Sequence, residues 1–323
     1  MDEFEIIRRY FTPDKTGKHV IVGVGDDGAV IRPKPGRDLV TVVDTLVAGV
    51  HFPDGLAAED VGFRAVAVNV SDMAAMGAWP RWMTIALTLE GVVPEWLAGF
   101  ANGIRLAGDR YGVEIVGGDM TRGTETVITV QVSGDIKRGR AMTRNGASAG
   151  DSIYISGYPG DAAAGLSILL GSRPADGTRA RNDYLIRRFA NPDARVDLGC
   201  AIAGTASAAI DLSDGLYADL GKMLDASGVS GVLDVDRIPL SSEILRIMNA
   251  TDALNLALGG GDDYELCFTS SDSSVVEVGA RLDIPVTKIG KVKEGSGVMC
   301  KKDGESFRFE QACLLYTSPS PRD

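Results

Sequence analysis

Histidine is nearly missing. Only His19 and His51 occur in 323 residues, which leaves little room for a histidine-rich metal site or a multi-histidine acid–base scheme. Cysteine is scarce too: Cys200, Cys267, Cys300 and Cys313 lie far apart, with no C-x-x-C pair. That excludes a disulfide framework and a zinc ribbon, and it favours a reducing cytoplasm. No apolar run reaches the ~18 residues of a membrane helix. The acidic start, Met1-Asp2-Glu3-Phe4, is unlike a signal peptide. Positive charge is outnumbered: 33 Lys and Arg stand against 44 Asp and Glu, a net charge of −11. A general nucleic-acid binder needs a basic footprint, so that class is excluded.

Familiar phosphate and nucleophile motifs are also absent. There is no G-x-x-x-x-G-K-[ST], no H-R-D with D-F-G, and no G-x-S-x-G. Gly23-Val24-Gly25-Asp26-Asp27-Gly28 does match G-x-G-x-x-G after a strand. A dinucleotide fingerprint must open a helix, and Pro33 and Pro35 forbid a long one here. Two acidic residues inside the loop would also repel a pyrophosphate.

What is present is a chain 45% hydrophobic and 24% charged, able to bury a core. Its length suggests about two domains. Helices are expected over 3–11, 60–76 (Asp60 as N-cap), 94–111, 160–170, 181–190, 193–206 and from 215 to 226. Strands are expected over 20–25, 38–43 (closed by Asp44), 82–89, 113–116 (closed by Gly117-Gly118-Asp119), 125–136 and 152–156, with another after Gly259-Gly260-Gly261-Asp262-Asp263. This mixture is α/β or α+β, not all-β. The polar, glycine-bearing stretch 145–151 suggests a boundary, giving domains 1–148 and 149–313. Leu314 to Asp323 (LLYTSPSPRD) breaks the pattern and reads as a non-native tail.

Glycine is abundant, 40 residues, and much of it sits beside aspartate. Asp26, Asp27, Asp44, Asp72, Asp119, Asp211, Asp214, Asp262 and Asp263 follow or end apolar segments, most with a glycine, serine or threonine alongside. One such site is ordinary turn chemistry; the recurrence of one grammar is not. Many carboxylates without basic partners imply cations. Two like charges ~4 Å apart cost about 4 kcal/mol at an effective dielectric of 20. Hard oxygen donors suit Mg²⁺, which usually arrives with substrate phosphates. The pattern therefore points to phosphoryl transfer with no covalent nucleophile, where positioning and charge neutralisation supply most of the catalysis. A structural calcium protein is disfavoured, because no D-x-[DN]-x-[DN]-G loop is present.

The segments VGVGDDGAV (22–30), VDTLVAGVHF (43–52), AVNVSDMAAMGA (67–78), GGDMTRG (117–123), GRAMTRNG (139–146), AIDLSDGL (209–216) and GGGDDYELCF (259–268) together resemble the thiamine-monophosphate kinase family, within the aminoimidazole ribonucleotide synthetase-like superfamily. The resemblance implies a two-domain ATP-using enzyme in the cytoplasm. It also implies a homodimer built on the N-terminal domain, with that domain's sheet at the interface. The expected substrates are ATP and thiamine monophosphate, with Mg²⁺ as cofactor; nucleic acid and membrane are not expected partners. By resemblance, Asp27, Val43 (through its carbonyl), Asp44, Asp72, Asp119, Asp211 and Asp214 match metal ligands. Asp27, Gly118, Asp119, Arg144 and Ser213 match ATP-binding positions, while His51 and Asp262 match positions beside thiamine monophosphate.

The chain departs from the family at three places. Val42-Val43 stands where Ser-Thr is usual, Asp262 where Glu is usual, and Leu314–Asp323 where an aromatic-Asp-His-Phe ending is usual. Alternatives are another superfamily member, of the aminoimidazole ribonucleotide synthetase, selenophosphate synthetase or hydrogenase-maturation type, or a nucleotide binder without turnover. The selenophosphate reaction calls for an N-terminal reactive cysteine, and none precedes Cys200.

Overall fold

The computed structural model describes residues 3–13, 17–25, 28–172 and 179–309. The expectations for Asp26, Asp27 and the tail Leu314–Asp323 therefore lie outside the described residues. The chain divides into two compact units: residues to 73 with 78–139, and residues 74–77 with 140 onward.

The first unit begins with α1 (Glu3–Ile6), continued by a π turn over Ile7–Phe11, and a hairpin of β1 (Val20–Val22) and β2 (Val30–Ile31). Val30-Ile31, just after the glycine-rich segment, pair antiparallel with β1 and open no helix, consistent with Pro33 and Pro35 beyond them. The main sheet has the order β3-β6-β4-β5, from β3 (Arg37–Val47), β4 (Trp79–Leu89), β5 (Glu114–Arg122) and β6 (Val127–Lys137). Only the β4–β5 pair is parallel. Strand alternation separates two faces. Val40, Leu46, Met83, Ile85, Leu87, Ile128, Val130 and Val132 are buried on one of them. Helix α2 (Ala58–Ala75) covers this face, and the methyl end of Met73 occupies the space above Gly134. On the other face Leu39 and Val43 are 56% and 48% exposed, and Thr41 and Ala86 are exposed as well.

Three expectations are corrected here. Asp44 lies inside β3, not at its end, because the ladder with β6 continues to Val47. Gly117-Gly118-Asp119 does not close β5. A side chain at Gly118 would meet the Ile85 carbonyl at 2.2 Å, so glycine is what lets β5 run on close against β4. Asp60 falls in the first turn of α2, which begins at Ala58, where a carboxylate still favours the helix dipole.

Helix α3 (Pro94–Tyr111) matches its expected span, with proline opening it and Gly112 closing it in the left-handed region at φ 68°. It crosses α2 backbone to backbone. A Cβ on Gly103 would fall 1.9 Å from the Glu59 carbonyl oxygen. Gly103→Ala must push the helices apart, an overpacking cost of roughly 1–3 kcal/mol or more. Thermal unfolding is expected to show a clear drop, whereas Gly139→Ala, with nothing within 4 Å of the added atom, answers only to its own φ of 69°.

The second unit carries a seven-stranded sheet of order β13-β12-β9-β11-β7-β10-β8. Its strands are β7 (Ser152–Ser156), β8 (Ala208–Asp211), β9 (Ser230–Asp234), β10 (Leu266–Ser270), β11 (Val286–Lys293), β12 (Gly297–Lys302) and β13 (Glu305–Phe307). All pairs but β9–β12 are antiparallel. Helices α4 (Asp161–Leu169), α5 (Arg179–Ala190), α6 (Val196–Ile202), α7 (Leu216–Ser227), α8 (Ile244–Ile247), α9 (Ala250–Gly259) and α10 (Val275–Arg281) complete it. Ile153, Ile155, Ile210, Leu220, Leu224, Leu258 and Ile289 form one core. Leu185, Ile244 and Ala253 belong to a second. The helix expected over 193–206 is shorter, running Val196–Ile202, and 203–205 are in turns. The fold is mixed α/β in two units, and mostly antiparallel.

Candidate functional site

In the first unit, register decides which carboxylates share a side. Asp44 pairs with Val130, which pairs with Ile85, which pairs with Gly118, so Asp44 lies on the helix-covered face. Asp72 is half-buried on α2, the helix covering that face. Thr45, Thr129, Ala86 and Asp119 form the next row, on the open face. Asp44 and Asp119 therefore project from opposite faces. They also sit on opposite edge strands, three spacings or about 14 Å apart. Val43 is on the edge strand β3 with Asp44, but on the open face. His51 is exposed in the turn after β3. The Val47 N–H donates to its Nδ1 at 3.0 Å, and the His51 N–H donates to the Val47 carbonyl at 2.9 Å.

In the second unit two motifs distant in sequence are laced together. β8 and β10 pair with Asp211 opposite Leu266. The Asp262 N–H then donates to the Ser213 carbonyl at 2.9 Å, and the Tyr264 N–H to the Leu212 carbonyl at 2.9 Å. Asp262 and Tyr264 both adopt positive φ, 68° and 52°. Such backbone costs of order 1–3 kcal/mol per residue and persists where surroundings over-determine it. The result is a rigid double turn presenting Ser213, Asp214 and Asp262. Arg144 lies elsewhere. The Thr143 carbonyl accepts from the Ala209 N–H at the start of β8, and the Arg144 carbonyl accepts from Ser227 Oγ at the end of α7. Its exposed guanidinium thus starts from the opposite end of β8 and α7 from the Ser213-Asp214 turn.

The supports of this turn were not read from the sequence. Asp219, 1% exposed, accepts the N–H groups of Asp214 and Gly215 at 2.9 and 3.1 Å, and Lys222 donates to both Asp214 and Asp219. Burial raises the Asp219 pKa to about 7, against the opposing pull of Lys222. Glu265 is fully buried. Arg195 brackets its carboxylate at 2.7 and 2.6 Å, Arg188 donates at 2.6 Å, and Ser156 donates at 2.5 Å. Burial alone would raise its pKa; Arg195 and Arg188 outweigh that and lower it to about 2. Asp263 accepts from the N–H groups of Gly160 and Ala162 at the start of α4, and burial holds its pKa well above the usual carboxylate range. The available signal was the lone charge of Glu265 entering an all-buried strand, which demands a buried partner.

Asp161, also fully buried, accepts from Ser241 Oγ at 2.6 Å and Tyr184 Oη at 2.9 Å. Burial raises its pKa from 3.8 to about 6. A carboxyl that holds its proton more tightly when folded adds stability that is fully present below pH 3.8 and lost as pH rises through 6. The loss is about 3 kcal/mol. Urea unfolding at pH 4 and pH 6.5 is expected to show the wild type losing stability relative to Asp161→Asn. Parallel behaviour of the two proteins would contradict the assignment.

Among the described residues no three His, Cys, Asp or Glu side chains are grouped so as to hold a metal ion. The expected ligands are instead spread: Asp44 and Asp72 on one side of the first sheet, Asp119 on its other side, and Asp211 and Asp214 at the double turn of the second unit.

Comparison with known proteins adds the decisive observation. Residues 25–136 match the AIR synthase related protein, N-terminal domain, and residues 148–301 its C-terminal domain. The chain is 41% identical to the thiamine-monophosphate kinase of Salmonella typhimurium over 314 residues, covering 95% of this chain and 96% of that one. The chain belongs to the thiamine-monophosphate kinase family. The crystal structure of thiamine-monophosphate kinase from Stenotrophomonas maltophilia K279a aligns with a TM-score of 0.83 at 39% identity, over 94% of this chain and 96% of that one. AaThiL complexed with AMPPCP and TMP aligns at 0.75 and 34% identity, over 88% and 89%. The two matching domain models agree with a two-domain architecture.

Proposed function

We propose that the chain transfers the γ-phosphoryl group of ATP directly to thiamine monophosphate, giving ADP and thiamine diphosphate. The observation that carries this reading is the near-full-length likeness to a relative that holds a non-hydrolysable ATP analogue together with the acceptor. An oxygen of the acceptor phosphate attacks the γ-phosphorus in line, and the bond to the β–γ bridging oxygen breaks. The acceptor is already a nucleophile, so no side chain need be one.

The donor chemistry of the expected ligands suits Mg²⁺. The donor set is all hard oxygen, and at the Ser213-Asp214 turn the ammonium of Lys222 already stands as a cation between Asp214 and Asp219. Asp27, Asp44, Asp72, Asp119, Asp211 and Asp214, with the Val43 carbonyl, would hold Mg²⁺. Bound there, Mg²⁺ supplies charge neutralisation between carboxylates and phosphates. Gly118, Asp119, Arg144 and Ser213 are assigned to ATP, Arg144 as an exposed cation. His51 and Asp262 are assigned to thiamine monophosphate. Residues 1–148 are read as the ATP/Mg²⁺ and dimerisation domain and 149–313 as the domain that completes the site, in a cytoplasmic enzyme. Among the described residues no helix is long and apolar enough to cross a membrane.

ADP release tests the reaction. Release that depends on thiamine monophosphate supports it. Release with an aminoimidazole precursor or selenide instead would move the chain to another branch of the superfamily, and no release with any acceptor would leave a nucleotide binder. The dimer is supported by the open face of the first sheet, where Leu39 and Val43 stand exposed beside a row of threonines. Sedimentation at tens of micromolar is expected to give twice the 34.0 kDa of one chain; a strict monomer with and without ATP would overturn it.

A further inference from the structure

Lys222 is a cation that touches a residue assigned to metal binding at the Ser213-Asp214 turn. Its Nζ donates to Asp214 Oδ2, and to Asp219 Oδ1 at 3.2 Å. The contacts differ in character. Asp219 is 1% exposed, and its other oxygen is already committed to the N–H groups of Asp214 and Gly215. Asp214 is 50% exposed, and Lys222 is 38% exposed. Asp219 is thus a fixed anchor, one helical turn before Lys222 on α7. From that anchor the flexible lysine stem lets its ammonium lean on Asp214 or leave it without disturbing the turn.

We propose that Lys222 is a built-in counter-cation. It occupies the Asp214 carboxylate in the free protein, lowers the affinity of that carboxylate for a divalent cation alone, and withdraws when the cation arrives with nucleotide. The proposal rests on the reading of Asp214 as a metal ligand. Its physical basis is competition: a divalent ion approaching Asp214 meets a like charge already hydrogen-bonded there and must displace it. An isolated metal ion has only its own attraction to set against that. A metal–nucleotide complex brings four phosphate-borne negative charges for Lys222 to turn toward as it leaves. The lysine thereby favours entry of metal together with nucleotide over metal first, and it prevents Asp211, Asp214 and Asp219 from facing one another uncompensated.

The test is direct binding of Mn²⁺ as the probe, followed by electron paramagnetic resonance, to the wild type, Lys222→Met, Lys222→Arg and Asp214→Asn. Methionine keeps the apolar stem and removes the charge; arginine keeps the charge. Without nucleotide, Lys222→Met is expected to bind Mn²⁺ at least ~10-fold more tightly than the wild type. Lys222→Arg should stay within about 2-fold of the wild type. With AMPPCP present, the gap between Lys222→Met and the wild type should close. Equal Mn²⁺ affinity of wild type and Lys222→Met, with Asp214→Asn losing the AMPPCP-dependent ion, overturns the role of Lys222 and leaves the metal assignment standing. If Asp214→Asn keeps that ion unchanged, the metal assignment falls and the proposal with it. A second readout needs no variant: in ¹³C-methylated wild-type protein the Lys222 resonance is expected to shift with Mg²⁺ plus AMPPCP and not with Mg²⁺ alone. A shift with Mg²⁺ alone would contradict the proposal.

Discussion

Asp44→Ala and Asp214→Ala are each expected to lower turnover at least ~100-fold at saturating ATP, thiamine monophosphate and Mg²⁺, about 2.7 kcal/mol in the barrier. Each carboxylate is assigned to Mg²⁺ binding, and alanine at either position leaves the backbone pairing of its unit in place. Asp44 occupies the middle of the β3–β6 ladder, where alanine keeps every backbone bond. Asp214 is half exposed, and Lys222 keeps Asp219 when Asp214 is lost. An exposed pair of that kind contributes on the order of 0–1 kcal/mol. Activity and melting temperature should therefore separate: turnover collapses while thermal unfolding moves little. Near-wild-type turnover in both variants would refute the assignment. A loss of activity that merely tracks a loss of folded protein would refute the separation.

Glu265→Gln is expected to do the reverse, acting first on stability. The substitution preserves shape but removes a full negative charge bonded to both Arg188 and Arg195, leaving two largely buried guanidiniums short of compensation. Breaking a buried ionic network from one side costs about 3–5 kcal/mol. At about 2–4 °C per kcal/mol for a unit of this size, the melting temperature should fall by roughly 10 °C. Replacing Glu265, Arg188 and Arg195 together by apolar residues of similar volume should recover much of that loss, since the unpaired charges go as well. A Glu265→Gln protein as stable as the wild type would show that Asp193, 2.8 Å from Arg195, and the Asp263 carbonyl near Arg188 suffice alone. The same network holds the segment that carries Asp262, so the affinity for thiamine monophosphate should weaken in the variant even below its melting temperature.

The sequence by itself determined the class of chemistry. Scarce histidine, no phosphate-binding lysine loop and recurrent aspartates beside glycine left oxygen-ligated cations and phosphate as the consistent reading, and the order of the motifs pointed to one family. It also located most elements, because a strand such as Ser152–Ser156 or a helix such as Pro94–Tyr111 announces itself by period and by its end residues. Only the tertiary structure decided where the carboxylates stand. Asp44 and Asp119 share a local grammar, yet pairing register sends them to opposite faces, since a one-residue difference in register reverses a side chain. Both were expected at strand ends and lie within strands, because ladder bonds come from partners remote in sequence. The anchoring of the Ser213-Asp214 turn by Asp219 and Lys222, and of the Asp262 turn by Glu265, Arg188 and Arg195, left the least trace. Each charge alone looks like a solvated surface residue; burial makes it matter, and burial is a property of the packed chain.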